Sequence, residues 1–272
     1  MLDGFFYLLG IARYDRIERY DGNVKDGGND VAFQKVDILG VQVDSLRMHE
    51  AVAQVEQYMD ERAGVLVATA NAEMIMMATQ DAALMRILNE AALVVPDGAG
   101  TVWASRHLGC RMPDRVAGYD LAQELMRQAP QKQRRIFFFG SAPGVANKAK
   151  KKAELLYPGI SIVGVHHGFF TAADVPAIVA EIKAAQPDLL LAALGVPKQE
   201  KWLDAHLKEL DVPVAIGVGG TFDVMAGVMK RAPLWVQKAK LEWLFRGVLQ
   251  PKRAGRLLAL PQFIWKVHAY KK

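Results

Sequence analysis

The fold is decided by the stretch Ala92-Leu93-Val94-Val95-Pro96-Asp97-Gly98-Ala99-Gly100-Thr101-Val102. Its apolar run up to Pro96 is typical of a buried strand, and the glycines that follow allow a tight turn into a helix. Such a turn would place the carboxylate of Asp97 at the mouth of a sheet, where the ligands of open α/β folds bind. The competing interpretation is that Asp97 only caps the next helix.

On both sides of this stretch, short apolar strands alternate with longer helical patterns. This alternation predicts an α/β fold, with a Rossmann-like, mainly parallel sheet and helices on both faces. We expect one strand region at residues 36–43 and further strands at residues 65–69, 135–139, 160–165, 189–194 and 214–218.

The chain divides into three segments by composition. Residues 1–34 mix charges with glycines, and their apolar run is too short and too poorly flanked for a signal peptide, so they read as a loosely ordered leader. Residues 35–226 carry the strand and helix patterns. Residues 227–272 hold eleven Lys or Arg against one acid, a net charge of +10 in a chain whose total is +5.

This basic C-terminal segment also holds three of the five tryptophans. Basic residues interleaved with Trp, Phe and Leu on short helices favour an amphipathic helical appendage that binds anionic lipid. A Lys/Arg cluster alone only indicates an anionic partner, so nucleic acid is the competing interpretation. An ordinary amphipathic helix packed on the core is a third.

Composition and missing motifs disfavour several classes of protein. The hydrophobic content of 51% suits a globular core, the lone Cys110 fits a reducing cytoplasm, and no apolar run reaches the about 18 residues of a membrane span. The glycine fingerprints of dinucleotide-binding oxidoreductases and of P-loop NTPases are missing. Because the chain also lacks an Asp-x-Asp pair and a Cys/His cluster, neither a metal nor a cofactor is predicted, and arginines would have to neutralise any bound diphosphate.

Polar or glycine-rich clusters follow three other predicted strands. The carboxyl ends of parallel strands meet at one edge of a sheet, so these clusters are expected beside Asp97. Glycine backbone amides can approach a phosphate there, although a helix cap or a simple turn is the alternative for each cluster. The positions are Thr69 and Asn71 after one strand, Gly195 and Gln199 after another, and Gly219 and Gly220 after the third.

Taken together, five motifs resemble a known family, the WecG/TagA/CpsF glycosyltransferases, with the greatest likeness to its TagA-like members. The resemblance runs from about residue 35 to the C terminus, and one departure is Ala70, where the family commonly has proline. The motifs are Thr69-Ala70-Asn71-Ala72-Glu73, Pro96-Asp97-Gly98-Ala99-Gly100, Arg115-Val116-Ala117-Gly118, Gly195-Val196-Pro197-Lys198-Gln199-Glu200 and Gly217-Val218-Gly219-Gly220-Thr221-Phe222-Asp223.

The resemblance implies a bacterial, inverting enzyme that moves a sugar, typically N-acetylmannosamine, from UDP to undecaprenyl-diphosphate-linked N-acetylglucosamine, as in the wall teichoic acid linkage unit. It further implies a cytoplasmic protein that associates peripherally with the anionic inner face of the plasma membrane, does not bind nucleic acid and can form a homo-oligomer. The alternative function is a Rossmann-like nucleotide-binding or nucleic-acid-binding module without transferase activity.

The resemblance also assigns site residues, within a catalytic domain at residues 35–226 and an appendage at residues 227–272 that completes the active site. Asp97 matches the general base, and Thr69 is taken as its catalytic companion. The residues expected to contact substrate are Asn71, Arg115, Gln199, Gly195, Gly219, Gly220 and, from the appendage, Arg246, Arg253 and Arg256.

Overall fold

The computed structural model describes residues 33–233, Val236, Phe245 and residues 259–270. The strands are β1 (Lys35–Ile38), β2 (Val41–Asp44), β3 (Val65–Ala70), β4 (Leu93–Pro96), β5 (Arg135–Gly140), β6 (Ser161–His166), β7 (Leu189–Ala193) and β8 (Val214–Gly217). The helices are α1 (Met48–Asp60), α2 (Ala72–Ala78), α3 (Ala82–Glu90), α4 (Ala99–His107), α5 (Gly118–Lys132), α6 (Val145–Leu156), α7 (Val175–Ala185), α8 (Lys198–Leu210), α9 (Thr221–Met225) and α10 (Ala259–Tyr270).

Six of these strands form one parallel sheet in the order β4-β3-β8-β7-β5-β6. Strands β4, β7 and β8 are apolar and buried along their whole length, because helices cover both faces of the sheet. The predicted α/β fold with a Rossmann-like parallel sheet is therefore confirmed.

The helices divide the hydrophobic core into two layers, one on each face of the sheet. Buried residues of α2, α3, α4, α7, α8 and α10 form the first layer, and those of α1, α5, α6 and α9 form the second. The chain therefore leaves the neighbouring strands β3 and β8 toward opposite faces. This divergence is a topological switch point, and it opens a crevice at the carboxyl edge of the sheet where ligands of such folds bind.

The predicted strand region at residues 36–43 holds two strands with a turn between them. These strands, β1 and β2, form a separate antiparallel hairpin and do not join the parallel sheet. The two turn residues, Leu39 and Gly40, have positive φ angles of 54° and 90°, as the favoured two-residue hairpin turn requires. Leucine seldom adopts that conformation, and its apolar side chain continues the strand-like pattern, so the sequence gives no signal of a turn at this position.

The C-terminal helix α10 packs on the first layer through Phe263 and Val267, which are fully buried. Its beginning lies at the carboxyl edge, because a side chain added at Gly100 would meet Leu260. Its far end is tied down by Tyr270, whose hydroxyl lies 3.0 Å from Asp37 Oδ1. Among the described residues, no helix is both long and apolar enough to cross a bilayer.

Candidate active site

Asn71 and Asp97 emerge side by side at the carboxyl edge. They follow directly on Ala70 and Pro96, which are paired in the β3–β4 ladder. The backbone N–H of Asp97 donates to Ala70 O at 3.0 Å, so the two strand ends remain joined one residue beyond the ladder. The sequence-based expectation that Asp97 lies at the mouth of the sheet agrees with this geometry.

Asp97 does not occupy the capping position of the helix that follows it. The N-cap of α4 is Gly98, whose φ of 89° is readily reached only without a side chain. The Thr101 hydroxyl lies 3.1 Å from the carbonyl oxygen of Asp97, which fixes the turn from its other side. The backbone of Asp97 is thus held rigidly, while the residue as a whole is partly exposed at the edge.

Asn71, by contrast, is a helix cap. Its Oδ1 accepts a hydrogen bond of 3.0 Å from the backbone N–H of Met74 in the first turn of α2. This capping bond fixes the orientation of the side-chain amide beside Asp97. The predicted substrate contact and the capping alternative are compatible, because the cap uses only the oxygen.

Thr69 is buried, and it ties the neighbouring strands β3 and β8 together. Its hydroxyl donates to Gly217 O at the end of β8 across 3.1 Å. A side chain on Gly118 would come within 2.9 Å of the Thr69 methyl group, so the start of α5 also rests on this threonine. Thr69 therefore sets the spacing between the strands that lead to Asn71 and to Gly219.

Gln199 joins the loops after β7 and β8. Its Oε1 accepts from the backbone N–H of Gly195 at 3.2 Å and from that of Gly219 at 3.1 Å. The residue is only 1% exposed, and its Nε2 donates to Glu200 Oε1 at 2.7 Å. Gln199 thus holds two of the predicted glycine positions in place.

Gly220, the third predicted glycine, is the N-cap of the short helix α9. A side chain there would meet nothing closer than 3.4 Å, at the end of Met229. The space beside Gly220 is consistent with close approach of a ligand to the backbone.

Arg115 lies in the segment that packs on the end of β4, since Val116 N–H donates to Pro96 O at 3.0 Å. Its guanidinium lies 3.7 Å from Asp120 Oδ2, in the first turn of α5. Arg231 binds the same carboxylate at 2.8 Å and lies over the Tyr119 ring, 4.4 Å from its centroid. Two guanidinium groups thereby share one carboxylate, next to the segment that packs on the end of β4.

Three further residues of this region have no counterpart among the predicted site residues: Asp120, Arg231 and Glu200. The contact of Asp120 with Arg231 spans 111 positions of the chain, which no local pattern can indicate. Glu200 is 1% exposed, and burial raises its pKa to about 7. The only available signal was its place beside Gln199 in a motif after a strand.

Three predicted residues, Arg246, Arg253 and Arg256, lie outside the described residues, as does the leader up to residue 32. Within the described part of the chain, no group of three His, Cys, Asp or Glu side chains could hold a metal ion. The role of the three arginines and the expectation of a metal-independent site stay predictions.

Comparison with known proteins identifies the family of the chain. The model of the glycosyl transferase WecG/TagA/CpsF family matches residues 36–272. The N-acetylglucosaminyldiphosphoundecaprenol N-acetyl-beta-D-mannosaminyltransferase of Staphylococcus aureus strain NCTC 8325 is 34% identical over 240 residues, which cover 88% of this chain and 94% of that enzyme. The enzyme of the same name from strain MRSA252 is 33% identical with the same coverage. The chain belongs to the WecG/TagA/CpsF family.

Family membership confirms the predicted class of protein, a glycosyltransferase with a Rossmann-like fold. It supports the transferase prediction over the alternative of a binding module without catalytic activity. All five motifs that carried the resemblance lie within the matched residues.

Proposed function

We propose that the chain transfers N-acetylmannosamine from UDP to undecaprenyl-diphosphate-linked N-acetylglucosamine. The Staphylococcus aureus relatives are named as N-acetyl-beta-D-mannosaminyltransferases of N-acetylglucosaminyldiphosphoundecaprenol, which supports this sugar and this acceptor. The observation that carries this proposal is the convergence of Asp97, Asn71 and the Gln199-bound glycine loops at one switch point. A crevice between diverging strand ends suits a nucleotide sugar on one side and an acceptor hydroxyl on the other.

Asp97 acts as the general base. Its carboxylate takes the proton of the acceptor hydroxyl while that oxygen forms a bond to the anomeric carbon of the donor sugar. The bond between this carbon and the UDP oxygen breaks in the same step, and UDP leaves with the electron pair. A single displacement of this kind inverts the anomeric configuration.

Thr69 and Gln199 are assigned to positioning, because the structure engages their polar groups with the backbone of neighbouring strands and loops. Asn71 can turn its amide N–H groups toward a substrate oxygen, since only its Oδ1 is needed for the cap. Rigid placement of such groups lowers the entropic part of the barrier.

Arginines neutralise the diphosphate of the leaving group in place of a metal. Arg115 and Arg231 already share Asp120 beside the edge. The resemblance adds Arg246, Arg253 and Arg256, which lie outside the described residues. Guanidinium groups bind phosphate through paired, charge-assisted hydrogen bonds.

The appendage faces the membrane that carries the lipid acceptor. On α10, Trp265 is 71% exposed and Ile264 lies beside it at the surface, while Phe263 and Val267 bind the helix to the core. Tryptophan at a helix surface in a basic segment favours the interface of an anionic leaflet. We assign this contact to the inner leaflet, where both the nucleotide sugar and the lipid acceptor are accessible.

Incubation of the protein with UDP-N-acetylmannosamine and a lipid-linked N-acetylglucosamine analogue tests the function. We expect UDP release and a disaccharide product in equal amounts, with and without EDTA. UDP-N-acetylglucosamine as the only donor is the matched control. Failure to form product would refute the assigned reaction, whereas activity that EDTA abolishes would refute only the role of the arginines.

A further inference from the structure

Glu200 is a buried acid for which the proposed mechanism has no direct use. It is the third residue of α8, and its Oε1 accepts the hydrogen bond of 2.7 Å from Gln199 Nε2. Its Oε2 is fully buried and has no hydrogen-bond partner among the described residues. A buried polar atom of this kind calls for an explanation.

The amide of Gln199 works in only one of its two orientations. Its Oε1 faces two donors, the backbone N–H groups of Gly195 and Gly219. If oxygen and nitrogen exchanged places, an NH₂ group would face both donors and both hydrogen bonds would be lost. The other end of the amide therefore needs an acceptor, and Glu200 Oε1 supplies it.

The two side chains are also confined sterically beneath the end of β8. A side chain on Gly217 would lie 2.5 Å from Gln199 Nε2 and 3.0 Å from Glu200 Oε1. The carbonyl of Gly217 is the group that binds Thr69. Glu200, Gln199 and Thr69 thus meet around one glycine at the switch point.

No charged neighbour accounts for the raised pKa of Glu200, since burial raises this pKa and hydrogen bonds lower it. On α8, Lys201 pairs with Asp81 at 2.6 Å and Asp204 pairs with Arg86 at 2.6 Å, both at the junction with α3. The remaining charged or titratable side chains of α8 with an assigned contact are Lys198, over the Phe170 ring, and His206, which lies 3.8 Å from Glu209.

Burial alone raises the pKa of Glu200 to about 7, against the lowering effect of the Gln199 hydrogen bond. A neutral carboxylic acid can still accept through its carbonyl oxygen, and it does so without burying a charge.

We propose that Glu200 is a positioning residue whose Oε1 orients the Gln199 amide and so holds the loops after β7 and β8 together at the substrate crevice. The assignment of the crevice to a substrate rests on the proposed function. The hydrogen bonds that hold the two loops together do not depend on a ligand.

The direct test is nuclear magnetic resonance of the full chain labelled with [15N]glycine. In the wild type, the amide resonances of Gly195 and Gly219 are expected to shift together with a midpoint near pH 7, as Glu200 loses its proton. Glu200→Gln keeps a carbonyl acceptor without the acid, so both resonances should stay at their acidic wild-type positions at every pH. Glu200→Leu has no acceptor and should displace both resonances throughout.

Two outcomes would overturn the proposal: equal titration of the two resonances in the wild type and in Glu200→Gln, or unchanged positions in Glu200→Leu. If Glu200→Leu does not fold, the comparison of the wild type with Glu200→Gln still decides. Because this measurement needs no turnover, its result is independent of whether the assigned sugar transfer occurs.

Kinetics provide the second readout. Glu200→Leu should lower kcat/KM by about tenfold or more through misplacement of the loops, while Glu200→Gln restores most of the activity. Glu209→Leu, on an exposed position of the same helix, is the matched control and should leave kcat/KM unchanged. Equal losses in Glu200→Leu and Glu200→Gln would show that the acceptor at this position is irrelevant and would overturn the assignment.

Discussion

Thr69 and Gly217 stand 148 residues apart in the chain, yet the hydroxyl of one lies 3.1 Å from the carbonyl oxygen of the other. The hydrogen bond joins β3 to β8 one step before the chain diverges toward opposite faces of the sheet. The width of the crevice therefore depends on a side chain that sits beneath it.

Replacement of this threonine by valine keeps its volume and removes the hydrogen bond. We expect Thr69→Val to lower the free energy of unfolding by about 1–2 kcal/mol, because the buried carbonyl of Gly217 loses a donor. Thr69→Ser, which keeps the hydroxyl, should retain more activity than Thr69→Val. Chemical denaturation and steady-state kinetics measure both effects. An activity loss above about a hundredfold with unchanged stability would instead indicate direct contact of Thr69 with substrate.

The role of Asp97 is tested by Asp97→Asn. We expect kcat to fall by about a hundredfold or more, because the asparagine amide cannot take the proton from the hydroxyl of the acceptor sugar. Folding should be unaffected, since the turn is held by backbone groups. Asp211→Asn is the control, at an exposed helix end where φ is 56° and asparagine is well tolerated. Transfer at the wild-type rate by Asp97→Asn would rule out the carboxylate as base.

Two glycines at the same edge should respond differently to alanine. Gly217→Ala places a methyl group 2.5 Å from Gln199 Nε2, so we expect a loss of about 1–3 kcal/mol in the free energy of unfolding. Gly220→Ala meets nothing closer than 3.4 Å and should fold normally. If the donor approaches the Gly220 backbone, its KM rises in that variant. Thermal unfolding and donor saturation curves separate the two effects, and equal destabilisation would contradict this packing.

Glu200 should make stability depend on pH. The folded protein holds this proton up to about pH 7, whereas the unfolded chain releases it near pH 4.5. The folded state therefore binds more protons in this window, and its stability should fall as pH rises from about 4.5 to about 7, by up to about 3 kcal/mol. Glu200→Gln lacks this contribution. Urea denaturation of both proteins across the window measures the difference, and parallel curves would mean that Glu200 titrates normally.

The exposed Trp265 of α10 should contribute to the affinity for lipid vesicles and not to the stability of the fold. Trp265→Ala is expected to weaken binding to phosphatidylglycerol vesicles about tenfold, since less apolar surface enters the interface. Leu155→Ala, at a residue that is 78% exposed on a helix of the opposite face, is the matched control. Sedimentation with vesicles gives both affinities. Equal binding by the two variants would argue against α10 as the membrane contact.

The sheet was predictable because its strands are buried on both faces and therefore read as apolar runs, as Leu93 to Pro96 do. The positions of Thr69, Asn71 and Asp97 followed from the rule that carboxyl ends of parallel strands share an edge. The hairpin before them was not predictable, since Leu39 adopts a positive φ angle that leucine rarely has in turns.

The side-chain partners within the site were the other part that the sequence concealed. The side-chain oxygen of Gln199 accepts hydrogen bonds from the backbone N–H groups of Gly195 and Gly219, which are 24 positions apart. No local sequence pattern indicates this arrangement, because the fold brings the two loops together. A glutamate in the first turn of a helix, such as Glu200, is ordinarily a surface residue that favours the helix dipole. Its burial follows from how α8 docks beneath β8, which is a property of the assembled sheet.

The place of β8 in the middle of the sheet, between β3 and β7, also bears on how the protein is made. Strand β8 follows the other described strands in the chain, so β3 and β7 have no common neighbour until residue 217 has been synthesised. Pairing over such a separation is intrinsically slow, and unpaired strand edges attract other chains in the meantime. A nascent or truncated chain that ends before β8 lacks the strand between β3 and β7, so the crevice beside β3 and β8 can form only after residue 217 has been synthesised.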